Sequence, residues 1–144
     1  MELSSGYQKD NPLSEAVGTK IYWAGGLYKQ PEDAFTNLVE IHDVDNGSST
    51  FSCLFQPNAF SSAVQKNNQI VFFTAGEDMP RRWTGPPPVH SKFDIYDINT
   101  NIWSIAVLPQ TIYASSIISV NNTIYVAGGN VNGVSSKQVW KIEF

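Results

Sequence analysis

A repeat of about fifty residues is the feature that most constrains how this chain can fold. Three similar apolar segments end in glycine, and they occupy residues 21–26, 71–76 and 124–129. Their last glycines, Gly26, Gly76 and Gly129, stand 50 and 53 residues apart. Internal repeats of roughly 20–50 residues are typical of solenoids and propellers, in which each repeat is one supersecondary unit. The chain is therefore expected to build its structure from similar units.

Three further elements recur in a constant order around the glycine segments. One precedes them, at residues 13–17, 60–65 and 114–120, and another follows them, at residues 39–43, 93–97 and 139–143. The last element is clear at residues 101–104 and weaker at 50–52. The pieces are short, rich in β-branched and aromatic residues, and bounded by turn residues, as strands are. Four strands in a repeat of about fifty residues predict an all-β fold built of propeller blades.

The residues between these elements suit tight turns. Asn-Asn pairs at 67–68 and 121–122 separate the first and second strands of two repeats. Asparagine tolerates a positive φ, so both pairs predict short hairpins. Asp43 and Asp97 end the third strands, and their carboxylates are expected to accept backbone hydrogen bonds in the turns that follow. No stretch shows a convincing helical period of 3.6 residues.

The order of these elements resembles the kelch repeat family. The family pattern is an aromatic strand ending in Gly-Gly, a strand ending in Tyr-Asp and a strand carrying Trp. The second repeat has Tyr96, Asp97 and Trp103, but Ala75-Gly76 replaces the glycine pair. The first and third repeats keep Gly-Gly and replace Tyr-Asp by His-Asp and Ile-Glu. The resemblance covers nearly the whole chain from about Leu13 onward, and it is informative about fold rather than function.

The resemblance implies a kelch-type β-propeller segment of about three four-stranded antiparallel blades. After an N-terminal segment, residues 1–12, the blades would span about 13–55, 59–108 and 112–144, the last being incomplete. Closed propellers usually contain roughly four to eight blades. The implied partners are therefore further blades, from a second copy of this chain or from a longer parent chain. An isolated open stack would expose apolar blade faces, which predicts association.

A long loop at residues 77–91 is the predicted binding element. In kelch propellers the loops leaving the second and fourth strands share one face, so the resemblance implies that partners dock there. Loops of about 12–15 residues are often functional, and Trp and Arg dominate binding hot spots. The predicted binding residues are Glu77, Asp78, Arg81, Arg82, Trp83 and His90, with Tyr28 from the first such loop. The alternative is structural: Trp83 covers a blade edge, and the arginines pair with Glu77 and Asp78.

Composition excludes several other classes of protein. The net charge of −4 and the pI of about 5.0 lack the basic footprint of nucleic-acid binders, so no nucleic-acid partner is expected. One cysteine, Cys53, allows no intrachain disulfide, and two histidines make a Cys/His zinc site improbable. We predict no metal and no cofactor. The amino terminus does not resemble a signal peptide, and no apolar run is long enough to span a membrane. The compartment stays open.

Three functions remain compatible with the sequence. The leading hypothesis is a non-catalytic scaffold that binds protein or carbohydrate through its loops. The first alternative is part of a carbohydrate-active enzyme, similar to the sugar epimerases among kelch propellers. The second is a purely structural fragment that completes a ring. No Ser/His/Asp arrangement is visible in the sequence and the glycine pairs precede no helix, so no catalytic residue is predicted.

Overall fold

The computed structural model describes residue 10 and residues 12–28, 34–55, 57, 62–73, 92–110, 112, 115–131 and 134–143. All regular structure in these residues is β-strand, and none of them lies in a helix. The described residues contain no helix that could cross a membrane. The chain divides into two compact units, Met1–Phe60 and Ser61–Phe144.

The unit Met1–Phe60 is built on one four-stranded antiparallel sheet, the first sheet. Its strands are β1 (Leu13–Val17), β2 (Lys20–Ala24), β5 (Leu38–Asp43) and β6 (Ser48–Cys53), in the order β1-β2-β5-β6. Each strand pairs with the next one along the sheet. A two-stranded ribbon of β3 (Leu27–Tyr28) and β4 (Ala34–Phe35) interrupts this meander between β2 and β5.

The unit Ser61–Phe144 contains two larger sheets. The second sheet is four-stranded and runs β7 (Ser62–Lys66), β8 (Gln69–Phe73), β9 (Lys92–Asp97) and β10 (Ile102–Val107). The third sheet is three-stranded in the described residues and runs β11 (Ser116–Val120), β12 (Thr123–Ala127) and β15 (Val139–Ile142). A ribbon of β13 (Asn130–Val131) and β14 (Val134–Ser135) precedes β15. Every pairing is antiparallel, and no sheet closes on itself in the described residues.

The all-β architecture of antiparallel four-stranded sheets is confirmed by this topology. The expected turn chemistry is also present, since φ is positive at Asn67 (53°), Asn121 (48°) and Asn122 (62°) in the hairpins between paired strands. The two Gly-Gly pairs, 25–26 and 128–129, have positive φ where β2 and β12 end. Side chains other than glycine rarely adopt such angles, so these pairs let the chain leave the sheet sharply.

The turn after β9 is held together by Asp97. Its Oδ1 atom accepts hydrogen bonds from the backbone N–H of Asn99 (3.0 Å) and of Thr100 (2.9 Å), and from the Thr100 hydroxyl (3.0 Å). The hydrogen bonds from Thr100, backbone first, lower the pKa of the Asp97 carboxyl below its ordinary value of 3.8. In the first sheet, the equivalent Asp43 Oδ1 accepts the N–H of Asp45 at 3.1 Å. Both acidic residues have the predicted role.

Acid should therefore remove the contribution of Asp97 to stability. Because folding lowers this pKa, the contribution is present above the unfolded value and disappears as pH falls through the folded value. We expect Asp97→Ala to lower the melting temperature near pH 7 and the difference from wild type to shrink below about pH 4. Thermal unfolding followed by circular dichroism between pH 7 and pH 3 measures this. Asp45→Ala removes the same charge from the exposed turn of the first sheet and is the control. A constant difference at every pH would contradict the expectation.

The core of the second unit lies between the second and third sheets. A single cluster of buried side chains includes Val71, Phe73, Phe93 and Ile95 from the second sheet with Ile124, Val126 and Ile142 from the third. Strand β7 runs against β11 and β12. The rings of Phe73 and Phe93 stack at 4.8 Å between centroids. Burying one such side chain contributes roughly 1.5–3 kcal/mol, so this cluster contributes strongly to the stability of the unit.

Candidate functional site

The residues predicted to bind a partner fall mostly where the structure gives no description. Glu77, Asp78, Arg81, Arg82, Trp83 and His90 all lie outside the described residues. Tyr28 ends β3, where its backbone pairs with that of Ala34, and its side chain is likewise outside the description. The loop at 77–91 therefore stays a prediction from residue type. The candidate site that can be described in atomic terms lies elsewhere, on the first sheet.

The first sheet has two faces of opposite character. One face is buried and apolar at its centre, where its buried side chains are Leu13, Tyr22, Ala24, Val39 and Ile41. Its edge strands add the half-buried Glu15 and the exposed Thr50. The other, here called the polar face, carries Ile21, Trp23, Glu40, His42, Ser49 and Phe51, as the strand register requires. On this face Trp23 and His42 are half-buried, Ser49 is exposed and Phe51 is 53% exposed. The polar face therefore presents aromatic and titratable side chains at its surface.

Three polar side chains of this face form a hydrogen-bonded chain. The Ser49 hydroxyl donates to Glu40 Oε1 at 2.9 Å, and His42 Nδ1 lies 3.0 Å from the same hydroxyl oxygen. Strand pairing creates this arrangement, because His42 stands opposite Ser49 across β5 and β6 and Glu40 lies two residues from His42 on the same face. The imidazole of His42 lies beside the indole of Trp23, with ring centroids 6.0 Å apart.

The order of this chain differs from that of a serine nucleophile. In catalytic triads the histidine accepts the serine proton and the acid orients the histidine. Here the serine is in the middle and its proton is donated to Glu40. Nδ1 of His42 must then donate to Ser49 rather than accept from it, because a hydroxyl has a single proton to donate. The arrangement positions side chains, and it does not activate Ser49 for attack.

The cluster also leaves polar atoms available for a further partner. Glu40 is only 2% exposed, yet its Oε2 atom has no hydrogen-bond partner among the described residues, and neither does the buried Nε2 atom of His42. A buried polar atom without a partner costs roughly 1–3 kcal/mol. The described residues include no group of three or more His, Cys, Asp or Glu side chains that could hold a metal. Oε2 can accept a hydrogen bond from a water molecule or from a group of a bound molecule.

The second sheet repeats the buried acid in a different setting. Asp94 stands at the position of Glu40 in the repeat and is also buried. Tyr96 and Trp103 take the places of His42 and Ser49, and their rings lie 4.9 Å apart. Trp103 also lies 5.7 Å from the ring of Phe72, so these aromatic contacts are made within its own sheet. The aromatic rings of Tyr96 and Trp103 thus occupy the positions that the hydrogen-bonded His42 and Ser49 side chains have in the first sheet.

Sequence reasoning missed the Glu40 cluster because residues 39–43 were explained by the repeat alone. One signal was available, since Glu40 is an acid between the apolar residues Val39 and Ile41 within a strand. Charged side chains are almost never fully buried unless they are paired. That argument could have identified Glu40, although not its partner Ser49, nine residues away.

No protein-family model matches the chain, and no curated protein matches its sequence.

Proposed function

We propose that this chain is a segment of a kelch-type β-propeller that serves as a non-catalytic scaffold and binds a protein or carbohydrate partner through its loops. The observation that carries the proposal is the recurrence of one antiparallel meander with equivalent turns. The first and second sheets have the same strand order and an acid-capped turn after the third strand, at Asp43 and Asp97. The repetition of such a sheet along one chain is typical of propeller blades.

The chemistry of the described residues favours binding over catalysis. The one Ser, His and Glu arrangement that they contain has the serine proton directed to the carboxylate, which does not generate a nucleophile. The rest of the polar face consists of aromatic and apolar side chains such as Trp23 and Phe51. Surfaces that combine aromatic side chains with a few fixed polar groups are suited to recognition.

The composition of the loop at 77–91 supports it as the binding element. It belongs to the segment joining β8 to β9 and carries Arg81, Arg82 and Trp83 in succession. A guanidinium group can hold a carboxylate through two parallel hydrogen bonds. An indole ring offers a flat apolar surface to a sugar ring or a side chain. The prolines at 86–88 restrict the backbone and reduce the entropy that binding costs.

Removing these three side chains tests the proposal. Ligands for the wild-type chain are first selected from an array of immobilised glycans and from a displayed peptide library. We expect the triple variant Arg81→Ala, Arg82→Ala, Trp83→Ala to bind the selected ligand at least tenfold more weakly, because hot-spot residues typically contribute about 2 kcal/mol or more each. Circular dichroism should show an unchanged fold. Lys137→Ala, which removes an exposed positive charge before β15, is the control. Undiminished binding by the triple variant, or no ligand in either library, contradicts the proposal.

A further inference from the structure

The contact between the second and third sheets shows how two sheets of this chain pack on each other. One face of the second sheet, which includes the cross-strand pair Phe73–Phe93 and Ile95, packs in the buried cluster. The facing side of the third sheet contributes Val126 and Ile142 to the same cluster. Each face is apolar, and each is buried by the other sheet of the pair.

The opposite face of the third sheet repeats the pattern of the second sheet and is exposed. Val139 stands at the position of Phe93, and Lys141 stands at the position of Ile95, since the strand pairings of the two sheets correspond. Val139 is 63% exposed, and Ile118 on the same face is also exposed. We call this surface, formed by Ile118, Val120, Tyr125, Val139 and Lys141, the apolar face of the third sheet. It has the same register positions as a packed face, and large side chains on it meet solvent.

The polar face of the first sheet corresponds to the packed side of the third sheet. The cross-strand pair Trp23–Glu40 stands at the position of Val126–Trp140, and His42 stands at the position of Ile142. The chain therefore carries two half-exposed faces that match the two sides of its own internal contact. Opposite charges also stand at matching register positions, with Lys141, which is paired with Glu143, on one face and Glu40 on the other.

We propose that a second copy of this chain packs the apolar face of its third sheet on the polar face of the first sheet. Val139 of that copy then packs against the aromatic side chains Trp23 and Phe51, and a small shift of these two neighbours of Glu40 opens its buried Oε2 to a hydrogen bond from Lys141 of the same copy. In the internal contact Ile95 occupies the position of Lys141 and belongs to the cluster that Trp140 packs against. The register of the repeat therefore places Lys141 above Glu40.

The energetics of Glu40 favour this partner over a purely apolar one. Its carboxyl group is already buried in the single chain, so the desolvation cost of forming the pair falls mainly on the incoming ammonium group. An apolar partner would leave Oε2 buried without a hydrogen bond. Lys141 forms an ion pair with Glu143, and an ammonium group has three N–H donors, so it can keep that contact while it serves Glu40. This inference rests on register, burial and charge, and it is independent of the loop-binding proposal.

The association is tested first with matched apolar substitutions. The molar mass of the wild-type chain, measured by sedimentation equilibrium, should rise from 15.9 kDa to at least twice that value as concentration increases. Val139→Asp should weaken association at least tenfold, because it places a charge in the contact. Val134→Asp is the control, since Val134 is 68% exposed and lies on β14, outside both faces. Both sites are on the surface, so both variants should fold.

The polar face is tested in the same way with two phenylalanines. Phe51→Ser, on the polar face, should weaken association, whereas Phe55→Ser, which follows β6, should not. Their exposures of 53% and 55% make the two substitutions comparable. A closed dimer and a longer head-to-tail assembly both fit the proposal, because a contact between two different faces can close or extend. A wild-type chain that stays monomeric at every concentration, or equal effects of the variant and control in either pair, overturns it.

The ion pair itself is tested by coupling. Glu40→Gln and Lys141→Met should each weaken association, and the double variant should be no weaker than either single variant, because both remove the same interaction. Glutamine keeps the shape of the buried side chain, so folding should persist. Effects that add in the double variant would show that the two side chains do not meet across the contact and would overturn the assignment.

Discussion

Replacing Phe73 by alanine is expected to lower the free energy of unfolding by about 3–5 kcal/mol. The side chain of Phe73 is fully buried and stacks on Phe93 within the cluster shared by the second and third sheets. Truncation removes the transfer free energy of the ring and leaves a cavity. Sheet interiors paired in fixed register relax poorly into such cavities, because the hydrogen-bonded strands cannot move independently. Typical domains have a total stability of only about 5–15 kcal/mol, so the loss is a large part of the whole.

Urea denaturation followed by tryptophan fluorescence and by far-ultraviolet circular dichroism measures this loss. Trp103 and Trp140 lie in the same unit as Phe73 and report on its unfolding. The control is Phe55→Ala, which truncates the same type of side chain at a site that is exposed. We expect the control to change stability by less than about 1 kcal/mol. A comparable loss in the two variants would mean that the buried cluster does not carry the stability of the second unit.

Replacing Ser49 by alanine is expected to cost about 1–3 kcal/mol, although Ser49 is an exposed residue. Its hydroxyl is the hydrogen-bond partner of Glu40 Oε1 and of His42 Nδ1 among the described residues. Alanine would leave the carboxyl of Glu40 buried with neither oxygen bonded. Exposed serine to alanine changes elsewhere usually alter stability by less than about 0.5 kcal/mol. The large effect at an exposed site is thus specific to this hydrogen-bonded chain.

The control for Ser49 is its neighbour Ser48, which is also exposed and points to the opposite face of β6. Ser48→Ala should be nearly neutral, because the backbone N–H of residue 48, which donates a hydrogen bond to Asn46 Oδ1, is kept. A double-mutant cycle with Glu40→Met isolates the interaction, since methionine has a similar shape and needs no hydrogen bond. In that background Ser49→Ala should cost little. All variants are compared with Val139→Asp added, so that association does not contribute. Equal costs with and without Glu40 would contradict this account of the cluster.

Local chemistry accounts for the parts of the fold that were predicted from the sequence. The hairpins at Asn67 and Asn121 follow from the tolerance of asparagine for positive φ, and the turn after Asp97 follows from a carboxylate near free backbone N–H groups. Both effects act over two or three residues, so the residues adjacent in the sequence determine the conformation of these turns. Periodic apolar runs predicted the strands for the same reason, and β1 has the bounds expected for it, Leu13–Val17.

The Glu40 cluster illustrates what local reading could not supply. Glu40 and Ser49 meet only because β5 and β6 pair in one register, and a shift by a single residue would turn Ser49 to the other face. The register depends on the turn between the strands and on which face of the sheet is buried. No single residue determines either of these. The prediction that residues from Glu77 to His90 bind a partner rests on residue type and loop length, and their arrangement in space stays a prediction.

The sequence by itself determined that the chain forms repeated antiparallel strands, where tight turns join them, and which acids cap the turns. These properties depend on interactions between residues close along the chain. Tertiary structure decided which face of each sheet is buried, because burial depends on what packs against it. The same register positions are buried at Phe93 and exposed at Val139. The same strand register therefore produced a core in one sheet and, in the next, the surface on which we expect a second copy to bind.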